Sequence, residues 1–346
     1  MELIKKGTMG RELGKKDMVF CLIYCEDATP YENYDYFLLS KDIKQVNSAN
    51  MICPMVLSQM RWDGKLGFPG GNVEPHHKNL VEAIKAELEE EINFTDVDES
   101  KLELLATFAN EKRHITSFAY KVSYNEFKEI YRKSLTATHF ISENVGSVML
   151  QLHEASFNNL MKQTFSGTGK SELELLVKEK NLLINQEMLD KAIELAKKHF
   201  SHIKRNNGNN YFEEHIMGTV NLTRVYPLEI QILMALHDVL EDTDLTRDDL
   251  LKDYPNIIVD SVEALTLDKT AEDMLQEVGK CKLNNMTYIG RFADRLNNLQ
   301  TTSYKYNNKT FVDKMIFNTK EYFLPHFDGV EKLLLEKELE RIISEK

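Results

Sequence analysis

The feature that most limits the fold is a change in hydrophobic spacing near Asn185. Before it, from Met18 to about Lys121, apolar residues come in short runs: MVFCLIYC (18–25), YFLLS (36–40), MICPMVL (51–57), LLATFA (104–109) and TSFAYKV (116–122). Their length and aromatic content predict strands. One segment between them, Leu80–Ile92, has helical spacing and follows the turn-rich GFPGGNVEPHH. Asn144–Phe165 and Glu172–Leu183 also read as helices. From Met188 onward the spacing is helical: Met188, Ala192, Leu195, Ala196 and His199 share one face. Pro227 suits the first turn of a helix through LEIQILMALHDVL, which is apolar nearly all round and therefore buried. Further helices are expected at Ile257–Leu267, at Thr287–Leu299 and at the C-terminus. The chain thus divides into an α+β domain, residues 1–184, and an all-α domain, residues 185–346. Its 346 residues allow each a core of its own.

A hydrophobic content of 42% and a charged content of 28% belong to a soluble globular protein. The formal charge of −12 excludes a general polyanion binder. A local basic patch, or carboxylates neutralised by a metal, would still serve a phosphorylated small molecule. Cys21, Cys25, Cys53 and Cys281 form no CxxC pair and fit neither a zinc cluster nor a disulfide framework, so reduced cysteines and a cytoplasmic location are expected. The start, MELIKKGTMGRELGKKD, lacks the apolar stretch of a signal peptide, and Met18–Cys25 is too short to span a bilayer. No membrane partner is expected, and no oligomeric state follows from these residues.

Residues 67–94 read GFPGGNVEPHHKNLVEAIKAELEEEINF. Glu87, Glu90 and Glu91 stand at i, i+3 and i+4, so a helix gathers three carboxylates on one side. Such like charges repel unless a divalent cation neutralises them. Alone, the ELEEE run reads equally as a solvated acidic helix. The glycines at 67, 70 and 71 add a loop able to approach a substrate closely. The segment resembles the Nudix box of enzymes that hydrolyse nucleoside diphosphates linked to another group. Gly71 takes the box glycine, and AELEEEINF (86–94) its second half. The resemblance implies a Nudix fold, a mixed sheet sandwiched by helices. It also implies Mg²⁺ or Mn²⁺ on Glu87, Glu90 and Glu91, with Glu91 catalytic and Gly71 at the substrate. Ala86 replaces the family's arginine, Asn93 its closing glycine, and the loop is one residue longer. Asn93 still suits a left-handed helix end. MRWDGKLGFPGGNVE and FNNLMKQTFSGTGKSELELL look like one branch, which hydrolyses inosine diphosphate and removes caps from small nucleolar RNA. That likeness covers most of residues 15–183 and implies nucleoside diphosphates and capped RNA as substrates.

In the second half, His237-Asp238 precedes Glu241-Asp242, giving two i,i+4 pairs on one helical face. Imidazoles with carboxylates suit Mn²⁺, Fe²⁺ or Zn²⁺. Alone, the pair also reads as a satisfied buried polar pair. It is joined by His215 one helix earlier and by Asp294 in FADRLNNLQT. Together these resemble the HD hydrolase domain of the RelA/SpoT family, nearest to the small hydrolases that remove the 3′-pyrophosphate of (p)ppGpp. The match runs through KHFSHIKRNNGNNYFEEH, ALHDVLEDTDLT, TLDKT and FADRLNNLQTT, from about Ala192 to Thr302, and nothing after Thr302 reads as a synthetase domain. The resemblance implies an all-α HD fold with Mn²⁺ on His215, His237, Asp238 and Asp294. It assigns Glu241 and Asp242 to the attacking water, and Lys204, Arg205, Asn298 and Thr301 to the nucleotide. The chemistry agrees: a metal acidifies its water, and nearby carboxylates take the proton. Arg205 suits stacking on a guanine. By composition alone, Lys204-Arg205 reads equally as a solvated pair. The order of that pair is swapped relative to the family, Ile216 replaces a proline, and Asn297 replaces a histidine. His199 and His202 read as ordinary helix residues, while His76, His77, His114 and His326 receive no role.

The expected function is a bifunctional metal-dependent nucleotide hydrolase. Two alternatives stay open: an NADPH 2′-phosphatase in the HD site, and a nucleotide-sensing regulator with a non-catalytic Nudix half, which Ala86 motivates.

Overall fold

The computed structural model describes residues 2–4, 16–29, 52–109, 111–268 and 272–346. The YFLLS run and Lys269-Thr270 of the TLDKT motif lie outside them. The described residues group into two compact units divided between Ile184 and Asn185. Ile52, expected in the first domain, groups with the second: its N–H donates to the buried carboxylate of Glu229 at 2.9 Å.

The first unit is built on a mixed sheet of β1 (Glu2–Ile4), β2 (Lys16–Cys25), β3 (Met55–Arg61), β4 (Leu66–Gly67), β5 (Gly70–Asn72), β6 (Leu102–Ala109), β7 (Arg113–Lys121) and β8 (Asn144–Gln151). The strand order is β1-β6-β7-β2-β3-β4, with β5 paired to β2 and β8 to β3. β2 and β7 run parallel, and the other pairs are antiparallel. Both faces of β2 are covered. Val19, Cys21, Ile23 and Cys25 pack with helices α1 (Leu80–Ile92) and α2 (Tyr124–Ser134). Leu22 and Tyr24 pack with α3 (Glu154–Leu160) and α4 (Gly169–Glu179) on the other face. That double burial explains why MVFCLIYC is an unbroken apolar run rather than an alternating one.

Two expected helices differ. The segment Asn144–Phe165 is not one helix. Its first part is β8, paired along β3 from Met55↔Gln151 to Arg61↔Asn144. Val145 and Val148 are β-branched, and Gly146 adopts φ +154°, which breaks a helical ladder. The helix expected over Glu172–Leu183 starts at Gly169 and stops at Glu179, because Asn181 turns left-handed at φ 50°.

The second unit is helical: α5 (Gln186–Phe200), α6 (Met217–Leu222), α7 (Leu228–Leu236), α8 (Val239–Asp242), α9 (Arg247–Leu250), α10 (Asn256–Leu265), α11 (Met274–Gly279), α12 (Asn285–Gln300), α13 (Lys309–Asn318) and α14 (Gly329–Ser344). α7 is buried along nearly its whole length among α5, α10 and α12. The helix expected through LEIQILMALHDVL has two departures. Pro227 caps it rather than entering its first turn, and it breaks at His237-Asp238 before restarting as α8. Among the described residues no helix is long and apolar enough to cross a membrane, and all four cysteines are buried and free.

Candidate metal centres

In the first unit, α1 presents its glutamates to the β4–β5 loop. The helix is fixed at both ends by local chemistry. Asn79 accepts the Glu82 N–H at 2.8 Å, and Asn93 closes the helix in the left-handed region at φ 52°, ψ 39°. The Gly70 N–H donates to Glu91 Oε2 at 2.7 Å. Ala86 carries no donor, and the backbone holds this carboxylate. Gly71 lies against Glu87: a Cβ there would stand 2.4 Å from Glu87 Oε1, so a larger residue would push that carboxylate aside. Glu90 Oε2 lies 3.6 Å from His139 Nδ1, and the same nitrogen lies 3.4 Å from Glu143 Oε1.

Burial, then Glu90, Glu143 and Glu74, pushes Glu87 up to about 7. Burial pushes Glu91 up to about 8 against the Gly70 hydrogen bond, with Glu87 and Glu143 adding to the shift. A cluster this reluctant to ionise gains most from a cation. Among the described residues, these glutamates do not bring three ligand atoms within 4.8 Å of one another. Glu143 joins the cluster through tertiary placement, which no motif announces, whereas Glu74 belongs to the GGNVE segment of the loop before α1.

The second unit does converge. His215, His237 and Asp294 offer ligand atoms all within 4.8 Å of one another. His215 Nε2 lies 3.1 Å from His237 Nε2, 3.2 Å from Asp238 Oδ2 and 3.5 Å from Asp294 Oδ1. His237 Nε2 lies 3.1 Å from Asp238 Oδ2 and 3.9 Å from Asp294 Oδ1. Donor atoms on one cation, each bonded at about 2.1 Å, stand roughly 3.0–3.4 Å apart.

The tautomers sharpen the point. His237 Nδ1 faces the Met234 carbonyl at 2.8 Å and must carry its proton. His215 Nδ1 faces Asn297 Oδ1 at 2.8 Å, while Asn297 Nδ2 donates to the Glu214 carbonyl. In the neutral rings both Nε2 lone pairs therefore point at each other, with two carboxylates beside them, so a proton or a metal ion must lie between. Without a metal, burial disfavours charge on His215, yet Asp238 and then Asp294 raise it above its usual value. Burial opposes ionisation of Asp238, but His237, His215 and Tyr211 hold its carboxyl well below the usual range.

Local folding sets these positions. His215 sits in a wide helical turn, Phe212–Ile216, closed by the Met217 N–H on the Phe212 carbonyl, a distortion that recurs at functional sites. His237 and Asp238 occupy the break between α7 and α8, and Asp294 lies on α12.

A cavity of about 540 Å³ is lined by Lys204, Arg205, His215, His237, Asp238, Glu241, Asp242, Asp294, Asn298 and Thr301, every residue the sequence assigned to this half. Their contacts refine those assignments. Asn298 Nδ2 donates to Asp294 Oδ1 at 2.7 Å, and Arg205 Nη2 donates to Asn298 Oδ1 at 2.8 Å, so both steady a ligand candidate. Lys204 is exposed, and the Thr301 hydroxyl donates to the Asn297 carbonyl. Glu241 Oε2 accepts the Leu267 N–H at 3.2 Å, and Asp242 is open to solvent. Among the lining residues that escaped sequence reasoning are Tyr211, Arg291 and Arg295. Tyr211 donates to Asp238 Oδ2 at 2.6 Å, and its place four residues before His215 was a readable signal. Arg291 and Arg295 bracket Asp294 on α12, and burial pulls both below the usual range for arginine, Arg295 to about 10.

Known proteins resemble both halves of the chain. Residues 35–183 match the family model of Nudt16-like proteins, described as U8 snoRNA-decapping enzyme-like. A U8 snoRNA-decapping enzyme of Homalodisca vitripennis is 33% identical over 102 residues, which cover 28% of this chain and 54% of the relative. The chain is also similar to the guanosine-3′,5′-bis(diphosphate) 3′-pyrophosphohydrolase of Borreliella burgdorferi, 23% identical over 163 residues, covering 44% of this chain and 23% of that enzyme. The chain therefore spans about half the length of the first relative and under a quarter of the second. A solved structure of a metazoan ortholog of SpoT that hydrolyses ppGpp aligns over 45% of this chain and 96% of its own, at 18% identity and a TM-score of 0.35.

Proposed function

We propose that the chain is a two-site, metal-dependent nucleotide hydrolase, with a Nudix domain over residues 1–184 and an HD domain over residues 185–346. The HD site removes the 3′-pyrophosphate of (p)ppGpp. The Nudix site cleaves a nucleoside diphosphate derivative such as inosine diphosphate or an RNA cap. The observation that carries the reading is the pair of facing Nε2 atoms of His215 and His237, 3.1 Å apart beside Asp238 and Asp294. Such a donor set fits Mn²⁺. Similarity to the Borreliella pyrophosphohydrolase and the Nudt16-like match support the two substrate classes.

In the HD site, His215, His237, Asp238 and Asp294 hold the cation, which when bound supplies Lewis acidity toward water and a phosphoryl oxygen. Glu241 and Asp242 orient the attacking water and take its proton. Tyr211 steadies Asp238, and Asn298 steadies Asp294. Lys204, Arg205 and Thr301 line the nucleotide end. The water oxygen bonds to the phosphorus carried by the 3′ oxygen, the bond from that phosphorus to the 3′ oxygen breaks, and the departing 3′ oxygen takes a proton to become a hydroxyl, so that GDP and pyrophosphate are released.

In the Nudix site, Glu87, Glu90 and Glu91 hold Mg²⁺ or Mn²⁺, with Glu143 alongside. Glu91 takes the water's proton, and the Gly70–Gly71 loop meets the diphosphate. Four free, buried cysteines agree with a reducing cytoplasm.

Product analysis with Mn²⁺ on ppGpp, NADPH, inosine diphosphate and capped RNA tests the proposal. Pyrophosphate and GDP from ppGpp, with inosine monophosphate from inosine diphosphate, is the expected result. Loss of the NADPH 2′-phosphate with ppGpp intact would reassign the HD site. Binding without divalent-dependent cleavage at the first site would make that half a sensor.

A further inference from the structure

We infer that Arg291 is a positioning residue that ties Glu241, the carboxylate given to the attacking water, to the ligand candidate Asp294 through the chain leaving α10. The inference rests on reading this cleft as a hydrolase, and it adds the group that sets the spacing between base and metal.

Arg291 is 2% exposed, yet it lines the cavity. It shares one face of α12 with Asp294 and Asn298, which follow it by three and seven residues. Its Nη1 lies 3.8 Å from Asp294 Oδ2, while Asn298 Nδ2 donates to the other oxygen, Oδ1, at 2.7 Å. Asp294 is therefore steadied at both oxygens, with Oδ1 facing His215 Nε2 at 3.5 Å.

The second arm of the guanidinium reaches another helix. Nη2 donates to the Leu265 carbonyl at 2.7 Å and to the Ala264 carbonyl at 3.3 Å. These are the last carbonyls of α10, which the helix itself cannot pair because Thr266 turns to extended backbone at φ −69°, ψ 120°. A cation is favourable at a helix C-terminus, and the planar fork of arginine suits two acceptors better than an ammonium does. Two residues beyond Leu265, the Leu267 N–H donates to Glu241 Oε2 at 3.2 Å. Leu265 and Leu267 both line the cavity. One guanidinium thus spans from a ligand candidate to the short strap that holds the water-handling carboxylate. Its Nε is buried without a hydrogen-bond partner. Stability alone favours pairing every buried donor, so the unpaired nitrogen marks a side chain placed for its two arms.

The test is a double-mutant cycle on the full chain at saturating Mn²⁺, read by steady-state kinetics on ppGpp. Arg291→Met should lower kcat about 10- to 100-fold, the scale of a misplaced catalytic group, and leave KM within about threefold. In a Glu241→Gln background the same change should cost less than about twofold, because the group it positions no longer accepts the proton. Arg291→Lys keeps a cation near Asp294 without the fork and should recover part of kcat; it carries the same cycle if Arg291→Met does not fold. Equal losses in both backgrounds would overturn the inference and leave Arg291 as a structural cap of α10. A second readout needs no turnover. Arg291→Met should speed amide exchange at Leu267 about tenfold or more and leave Leu233 in α7 unchanged. Unchanged exchange at Leu267 would also overturn the tie. If Leu267 responds but the Mn²⁺-loaded wild type cleaves no nucleotide, the hydrolase reading fails while the tie between Arg291 and the Glu241 strap stands.

Discussion

Replacing Asn297 with Ala probes how the helical unit's cleft holds His215. Asn297 is 5% exposed. Its Oδ1 accepts His215 Nδ1–H at 2.8 Å and Arg205 Nη1–H at 3.4 Å, and its Nδ2 donates to the Glu214 carbonyl at 3.2 Å. Truncation leaves His215 free to turn and to exchange tautomers. Loss of such a supporting partner typically costs 10–100-fold in metal affinity, about 1.4–2.7 kcal/mol. The Glu214 carbonyl also loses its donor, and an unsatisfied buried group costs about 1–3 kcal/mol of stability. The two effects separate when Mn²⁺ affinity is titrated well below the melting transition of either protein. Asn297→Asp keeps the acceptor for His215, so its affinity should stay near or above wild type. An Asn297→Ala protein that binds Mn²⁺ within twofold of wild type would refute the reasoning, because His215 would then need no partner at Nδ1.

Other outcomes follow from the same geometry. Glu241→Gln should retain Mn²⁺ and ppGpp binding but lose about 10²–10⁴ in single-turnover rate, roughly 3–5 kcal/mol of barrier, whereas Asp294→Asn should lose metal occupancy as well. Near-normal turnover by Glu241→Gln would remove its assigned role. Glu91→Gln should abolish divalent-dependent diphosphate hydrolysis at the first site and spare ppGpp hydrolysis, since distant sites rarely couple through one side chain; parallel assays on both substrates decide it. Glu87 near 7 and Glu91 near 8 hold protons in the folded state that the unfolded chain, with carboxyls near 4.5, has already lost. Stability of the chelated protein should therefore fall as pH rises from about 5 to about 8, and Mg²⁺ should restore it at the upper end. A flat melting profile from pH 5.5 to 8.5, or equal slopes in wild type and Glu91→Gln, would contradict this.

What the sequence revealed depended on how local the cause was. Leu80–Ile92 could be bounded to the residue because Asn79 and Asn93 cap it through their own neighbours. Asn144–Gln151 was misread because its strand state comes from pairing with β3, more than eighty residues earlier in the chain. The break at His237-Asp238 had no sequence signal either, since the apolar pattern runs straight through it. In the second unit the chemical residue types were readable from four separated motifs, and the fold gathers them around one cavity. The supports were not readable. Asn297 under His215, Asn298 under Asp294 and Arg291 at the end of α10 acquire meaning only from neighbours distant in sequence. In the Nudix half, Glu143 reaches the acidic cluster from a loop some fifty residues beyond it.

The account stands most directly on the two facing imidazoles. Electron spin-echo spectroscopy on the Mn²⁺-loaded chain reads nitrogen coupling at the metal. One Mn²⁺ should show coupling to two imidazole nitrogens, and His215→Ala should reduce it to one while abolishing ppGpp hydrolysis. The first unit's glutamates offer oxygen only, and a His139→Ala background removes the imidazole that lies 3.6 Å from Glu90 Oε2, so that Mn²⁺ bound there adds no imidazole signal. Mn²⁺ bound to the chain with no nitrogen coupling at all, or ppGpp cleavage that persists in His215→Ala, would contradict the account.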